Sequence, residues 1–286
     1  MKTLNTKLKG LIHLFRPELS FAAGICVVVG EIVALGKFPA PNLVLLGFLC
    51  GFFMSGSALI MNDYFDLEVD MINTPERALP SGLVTKSEVI ALTAVASLLG
   101  LGSAYALANF ALAVALLFWF IAFLYNWKFK QHGLLGNLMV ASSVGITFVI
   151  GGIAAGNPGN KLVWFFSLMA FLIDLGEEIA GDAMDMEGDK FRGSKSIAIV
   201  MGKQFALRVS ASIFFLIVLL GYLPILLGWL ANRYLIMIAI AGIVVAYFAI
   251  KLLASQTPEE GRRIMRSIYL GPLLGLILFI IGYFIN

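Results

Sequence analysis

Between Val89 and Trp127 the chain carries no charged residue. In hydrocarbon every backbone N–H and C=O must be bonded internally, which leaves helices or closed barrels as the folds such a run can enter. A barrel strand alternates apolar and polar positions, and this run is continuous. It is long enough for two helices of ~20 residues each, joined by a tight bend near Ala108 and Asn109. The rest of the 286 residues follow suit: 60% are hydrophobic and 13% charged, with a mean hydropathy of +0.95. Soluble globular chains lie far from that composition. The expectation is an all-α, polytopic membrane protein.

Nine helices are predicted, near 18–36, 43–62, 87–107, 110–127, 137–155, 162–181, 205–226, 231–253 and 267–285. With the N-terminus inside, Lys37, Lys161 and Arg233 fall outside, and the other 17 of the 20 Lys and Arg fall on the inner side. That asymmetry fixes the expected topology through the positive-inside rule. The opening stretch "MKTLNTKLKGLIHLFRPE" lacks the early apolar core and cleavage site of a signal peptide. It reads as an interfacial amphipathic helix or a cytoplasmic leader. Cys26 and Cys50 lie inside apolar runs and read as packed thiols rather than a disulfide. His13 and His132 are isolated and receive no ligand role.

The polar chemistry is gathered in two inner loops, about 63–86 and 182–203. "NDYFDLEVD" places Asp63, Asp66 and Asp70 at the end of the second span, and "GDAMDMEGD" places Asp182, Asp185 and Asp189 at the end of the sixth. Both have gaps of three and four residues, so on a helix each set shares one face within about 60°. Glu178 extends the second face a turn deeper. Three like charges on one face raise at least one pKa and call for a positive partner. A hard divalent cation with oxygen ligands answers that need. Arg77 follows the first cluster, Arg192 and Lys195 the second, so an anion is implied as well. Mg²⁺ takes its remaining ligands from phosphate oxygens, and two acidic helix ends with basic rims would hold a magnesium diphosphate. The recurrence suggests a weak internal repeat, with motifs at 62–70 and 182–189, inside a single domain covering 1–286. The competing reading of one such cluster is solvated juxtamembrane charge; two clusters with the same spacing favour a site.

These segments resemble the UbiA superfamily of intramembrane prenyltransferases. "NDYFDLEVDMINTPERALPSG" matches that family's N-D-x-x-D-x-x-x-D signature and trailing R-x-x-P-S-G. "DAMDMEGDKFRGSKSIAI" is similar to its second aspartate motif, in the form D-x-x-D-x-x-G-D. "FRPELS" and "LYNWKFKQHGLLGN" also resemble family segments, so the likeness runs along essentially the full chain. The resemblance implies nine helices around a central cavity, and Mg²⁺ ions gripping a prenyl diphosphate. Asn62, Asp63, Asp66, Asp70, Asp182, Asp185 and Asp189 would organise metals and diphosphate. Arg16, Arg77, Lys130, Arg192 and Lys195 would contact the diphosphate. Among the acids, Asp66, Asp70, Asp185 and Asp189 are the expected catalytic set.

The motif wording is closest to archaeal lipid enzymes that add a second geranylgeranyl chain to geranylgeranylglyceryl phosphate. Prenylation of an aromatic quinone precursor or of chlorophyllide is the alternative. The archaeal enzymes often carry a basic residue just before the second motif, where this chain has "LGEEIAGD". The expected partners are a prenyl diphosphate, a lipophilic acceptor and the bilayer of the cell membrane, with the site on the cytoplasmic side. Neither nucleic acid nor an obligate protein partner is expected. A cation-coupled transporter is a distant alternative, since transport sites lie near the bilayer midplane. CDP-alcohol phosphotransferases are set aside because their D-G-x-x-A-R signature is absent.

Some positions keep two readings. Tyr64 and Tyr125, at inner helix ends, face either a cation or the interfacial belt. Asp174 and Glu177 sit within the sixth span, where an ionisable group is costly and usually faces a polar cavity. Asp174 serves either the acceptor and its proton, or a hydrogen bond between helices. Glu31 poses the same choice in the first span.

Overall fold

A computed structural model describes residues 4–284 of the chain. The first residues of the leader and position 285 of the ninth expected span lie outside the described residues. Eight described segments are long and apolar enough to cross a membrane. The sixth expected span is a helix of full length, Lys161–Met184, but Asp174, Glu177 and Glu178 within it lower its apolar character. The chain divides into two compact units, and the division falls inside that helix, between Leu168 and Met169.

The first unit opens with α1 (Leu4–Leu14), α2 (Pro17–Leu35), α3 (Pro41–Phe65) and α4 (Leu67–Asn73). It continues with α5 (Lys86–Leu107), α6 (Asn109–Trp127), α7 (Leu134–Ala154) and the first half of α8 (Lys161–Met184). Local sequence sets several of these ends. Thr85 and Glu88 form a reciprocal capping box at the start of α5, satisfying two otherwise orphaned backbone donors. Ala108, extended at φ −169° and ψ 149°, makes the expected bend between α5 and α6. Asn160 accepts from the backbone of Leu162 and Val163 at the head of α8, while its amide donates to Val33 O at 3.3 Å.

α1 is amphipathic, as expected of the leader. Leu14 is buried in a cluster with Ile60, Leu79, Val84 and Val89, whereas Leu8 and Ile12 stay exposed. This cluster pins the loop after α4 and so steadies the first acidic motif.

Within the unit α3 packs against α2, α5, α6 and α7, and α2 also packs closely on α7. Lipid tails are as apolar as the helix sides, so association depends on close backbone approach through small residues. Gly151 of α7 and Gly30 of α2 supply it. A methyl added at Gly151 would lie 2.1 Å from Val27 O, and one at Gly30 would lie 2.2 Å from Phe148 O.

The second unit holds the rest of α8, α9 (Met186–Arg192), α10 (Ile197–Met201), α11 (Lys203–Leu220), α12 (Leu223–Leu226) and α13 (Leu235–Leu253). It ends with α14 (Pro258–Ile268) and α15 (Leu270–Phe284). Ser210 of α11 donates to Gly176 O of α8 at 2.6 Å, and α13 packs on α11, α14 and α15. Cys26 and Cys50 are free thiols.

The glycine contacts generate a test. Gly151→Ala meets a carbonyl oxygen that cannot swing aside, so it should lower stability by about 1–3 kcal/mol or more. Gly102→Ala in α5, where nothing lies within 4 Å of the new methyl, should be neutral or slightly stabilising. Thermal midpoints in detergent check the pair; equal midpoints would contradict the packing argument.

Candidate active site

Both acidic motifs begin on a long helix and turn at their middle aspartate. α3 ends at Phe65, Asp66 adopts φ −86° and ψ 0°, and α4 begins at Leu67. α8 ends at Met184, Asp185 adopts φ −108° and ψ 16°, and α9 begins at Met186. The sequence reading ended these helices near 62 and 181, with the acids running into the loops beyond, whereas helical structure continues through both sets. The i to i−4 bonds do persist across the turn: Asp66 N–H donates to Asn62 O at 2.9 Å and Asp70 N–H to Asp66 O at 2.7 Å. In the second motif Asp185 N–H reaches Gly181 O at 2.9 Å and Asp189 N–H reaches Asp185 O at 3.0 Å. Helical spacing therefore survives, while the backbone bends out of regular geometry at the central acid.

In the first motif each carboxylate meets a basic side chain. Asp63, Asp66 and Asp70 are only 4–5% exposed, and buried charge is tolerated when paired and hydrogen-bonded. Arg16 Nη2 donates to Asp63 Oδ1 at 2.7 Å. Lys130 Nζ donates to Asn62 Oδ1 at 2.8 Å and also to Asp66 Oδ2. Arg77 Nη1 donates to both oxygens of Asp70, at 2.9 and 2.8 Å, and lies 3.7 Å from Asp63 Oδ1. Thr74 Oγ1 donates to Asp70 Oδ1 at 3.1 Å. The expected residues Arg16, Asn62, Asp63, Asp66, Asp70, Arg77 and Lys130 are thus brought into one network. Tyr125 is buried beneath it, its ring 5.8 Å from Lys130 Nζ, so it faces a cation. Tyr64 packs in the apolar cluster with Leu14 and Leu79.

Burial lifts the Asp70 carboxyl above the usual range; Arg77 pulls it back, Asp66 and Asp63 push it up, and the net direction is upward. Burial pushes the Arg77 guanidinium down, but Asp70 and Asp63 outweigh it and hold it above its ordinary value.

Arg16 is strained. At φ 41° and ψ 70° it is the sole described non-glycine residue with positive φ, a conformation costing roughly 1–2 kcal/mol. The turn is enforced from both sides: Pro17 starts α2, Leu19 N–H and Ser20 N–H donate to Arg16 O, and Ser20 Oγ donates to Phe15 O at 2.7 Å. This bend delivers the guanidinium to Asp63.

The second motif is more open. Asp182 and Asp185 are half-buried and Asp189 is buried. Gly193, left-handed at φ 72°, closes α9 by donating to Asp189 O and Lys190 O. Arg192 is half-buried in the last turn of α9, and Lys195 is exposed with no acid in ion-pair range. Asp185 is held instead by Arg262 of α14, whose Nη2 donates to its Oδ1 at 2.6 Å. Sequence reading missed this residue because it lies 77 positions away, in a loop with no motif of its own. Thr257-Pro258 with Glu260 downstream was the available signal of a capped helix there. Thr74 was missed too.

Elsewhere in the spans, Asp174 Oδ2 and both Glu31 oxygens are buried without a hydrogen-bond partner. Among the described residues no three His, Cys, Asp or Glu side chains form a ready-made metal cage. The motif donors are all oxygens, which suits a hard cation rather than zinc.

The sequence profile of the UbiA prenyltransferase family matches residues 23–280. The chain belongs to that family. It is 33% identical over 274 residues to the digeranylgeranylglyceryl phosphate synthase of Thermococcus kodakarensis, covering 96% of this chain and 98% of that protein. It is 34% identical over 278 residues to the synthase of the same name from Methanopyrus kandleri, again covering 96% and 98%. A solved digeranylgeranylglyceryl phosphate synthase structure superposes with a TM-score of 0.74 at 31% identity, covering 97% of this chain and 98% of that one. A UbiA homologue from Archaeoglobus fulgidus bound to GPP and Mg²⁺ shares the fold, with a TM-score of 0.65 at 17% identity, covering 94% and 98%. The chain is thus a multi-pass membrane prenyltransferase by family and by helix composition.

Two tests follow from the first motif. Arg16→Gly and Arg16→Ala both lose the ion pair, but only alanine keeps the strain, so the glycine variant should be the more stable by about 1 kcal/mol. Chemical unfolding checks this, and equal stabilities would mean the turn is unstrained. Were Asp70 to hold a divalent ion, proton and metal would compete for one carboxylate, and a raised pKa would let the proton compete to higher pH. Mn²⁺ affinity should therefore climb as pH rises above the usual carboxylate range and fall as pH drops. Asp70→Asn should flatten that climb when titrated by electron paramagnetic resonance.

Proposed function

We propose that the chain transfers a geranylgeranyl group from geranylgeranyl diphosphate to the hydroxyl of geranylgeranylglyceryl phosphate, with Mg²⁺ as cofactor. The observation that carries this reading is the first motif, where three buried carboxylates at the end of an apolar helix are each gripped by a basic side chain. Such a set offers oxygen ligands to cations and cationic donors to phosphate in the same place. Near full-length likeness to synthases of that name supports the choice of acceptor.

The residues fit the ion. Mg²⁺ keeps water and uses one or two carboxylates with phosphate oxygens rather than an all-protein cage, which agrees with the oxygen-only donors of both motifs. Asp63, Asp66 and Asp70 would hold one such ion, and Asp182, Asp185 and Asp189 another. When bound, Mg²⁺ neutralises charge building on the leaving diphosphate. Arg16, Arg77 and Lys130 would exchange their carboxylates for diphosphate oxygens and stabilise the same charge as it develops. Asn62 orients Lys130 through its 2.8 Å bond, and Tyr125 presents its ring to cationic charge. Arg192 and Lys195 would steer the anion toward the second motif. The C1–O bond to diphosphate breaks with its electron pair leaving on oxygen, the acceptor oxygen bonds to C1, and the hydroxyl proton is released. Apolar helices keep water from capturing the allylic cation.

In this reading residues 1–286 act as one catalytic domain in the cell membrane, with the N-terminus and both motifs on the cytoplasmic side. The test supplies the purified protein with geranylgeranyl diphosphate, Mg²⁺ and either geranylgeranylglyceryl phosphate or an aromatic acid. A product of the digeranylgeranyl mass is expected with the first acceptor; product with the aromatic acid alone would overturn the acceptor. Asp66→Ala and Asp185→Ala should each cut turnover about 10²–10³-fold in folded protein. Undiminished activity in EDTA would sink the metal role.

A further inference from the structure

The α13–α15 connection is built to deliver a guanidinium. Thr257 caps α14 by accepting from Glu260 N–H at 3.2 Å, Pro258 occupies its first turn, and Glu260 Oε2 accepts from Gln256 N–H at 2.9 Å. The buried face of α14 is Gly261, Ile264, Met265 and Ile268. Gly261 sits so tightly on Met184 that an added methyl would lie 2.3 Å from its Sδ. Arg262 is the next residue, and this seating carries it to the bend where α8 ends. There Nη2 reaches Asp185 Oδ1 at 2.6 Å and Met184 O at 3.4 Å. Arg263 and Arg266, by contrast, are exposed.

Three features distinguish Arg262 from a simple strut. It grips the central aspartate of its motif, as Lys130 grips Asp66 in the first. Its side chain and that of Asp185 are 31% and 43% exposed, so the pair is screened and readily exchanged. It spends one nitrogen on Asp185, leaving further donors of its fork for a second partner.

We propose that Arg262 is a diphosphate-binding residue of the second acidic motif, yielding Asp185 to a divalent ion and turning to a diphosphate oxygen. This rests on the prenyl-transfer reading. A cation that takes Asp185 competes with the guanidinium for the same oxygen, and the freed fork then meets the anion that the cation brings. Planar, multi-donor recognition of phosphate is what arginine supplies and lysine does not.

The experiment uses the full chain in detergent and two probes, Mn²⁺ alone and geranylgeranyl S-thiolodiphosphate with Mn²⁺. Removing a competing cation should let Arg262→Gln bind Mn²⁺ alone about threefold more tightly. Loss of a charge-assisted contact should weaken the thiolodiphosphate about tenfold. The opposite signs are decisive, because a strut that merely positioned Asp185 would weaken both. Weakening of both, or an unchanged thiolodiphosphate affinity, overturns the proposal. Should the glutamine variant fail to fold, Arg262→Lys decides: about threefold weaker thiolodiphosphate binding supports the assignment, and wild-type affinity refutes it. A wild-type chain that binds no thiolodiphosphate with Mn²⁺ sinks the donor reading and this proposal together, whereas loss confined to the variants leaves the donor reading standing.

Discussion

Charge balance at the end of an apolar helix governs the first unit of this molecule. An aspartate removed from water is costly unless a partner and hydrogen bonds replace its hydration. The first motif buries three of them within eight residues of sequence, from Asp63 to Asp70. No single element holds enough positive charge to answer that, so the partners come from the head of α2, the loop after α4 and the turn after α6. Arg16, Arg77 and Lys130 each fix one element to the motif. The need to neutralise carboxylates thereby becomes a means of assembling the fold around them.

The two motifs share spacing but differ in dielectric surroundings. Ion pairs in the first are shielded and therefore strong, and removing one partner strands a buried charge. The Arg262–Asp185 pair is partly exposed on both sides, and such screened pairs are worth about 0–1 kcal/mol. A chain that needed both motifs only for stability would gain little from the second. Half-exposed, exchangeable aspartates such as Asp185 suit ligand binding better than scaffolding. The deeper acids of α8 point the same way: Asp174, Glu177 and Glu178 place three ionisable groups within one helix of the bundle.

Much of this was legible from sequence because its physical signals are strong. Uninterrupted apolar blocks gave the spans, and the Ala108 bend fell where expected. Asp63, Asp66, Asp70, Arg77, Arg16 and Lys130, singled out partly by spacing and partly by family likeness, lie in one ion-pair network. What escaped notice depended on tertiary placement. The turn at Asp66 and Asp185 leaves helical spacing intact, so no periodicity reports it. Arg262 reaches Asp185 across 77 residues through packing of Gly261 on Met184, which no local pattern encodes. Tyr64 and Tyr125 look alike in sequence, yet one packs in an apolar cluster and the other under a lysine. Lys195 carried the expected charge in the expected loop and is left in solvent.

Strain at Arg16 shows how these demands trade against each other. A glycine would relieve the left-handed backbone, and a more relaxed turn was open to any chain selected for stability alone. The turn instead keeps an arginine in a conformation that L-residues avoid, held by Pro17, Ser20 and the carbonyl bonds at the head of α2. Strain of this kind persists only where the surroundings over-determine it, and such outliers cluster at ligand sites. Under the proposed function, placing the guanidinium on a rigid turn would leave little backbone freedom to be lost if a phosphate took the place of Asp63. The cost is carried by the folded state in advance, and in that reading the benefit would come with the anion.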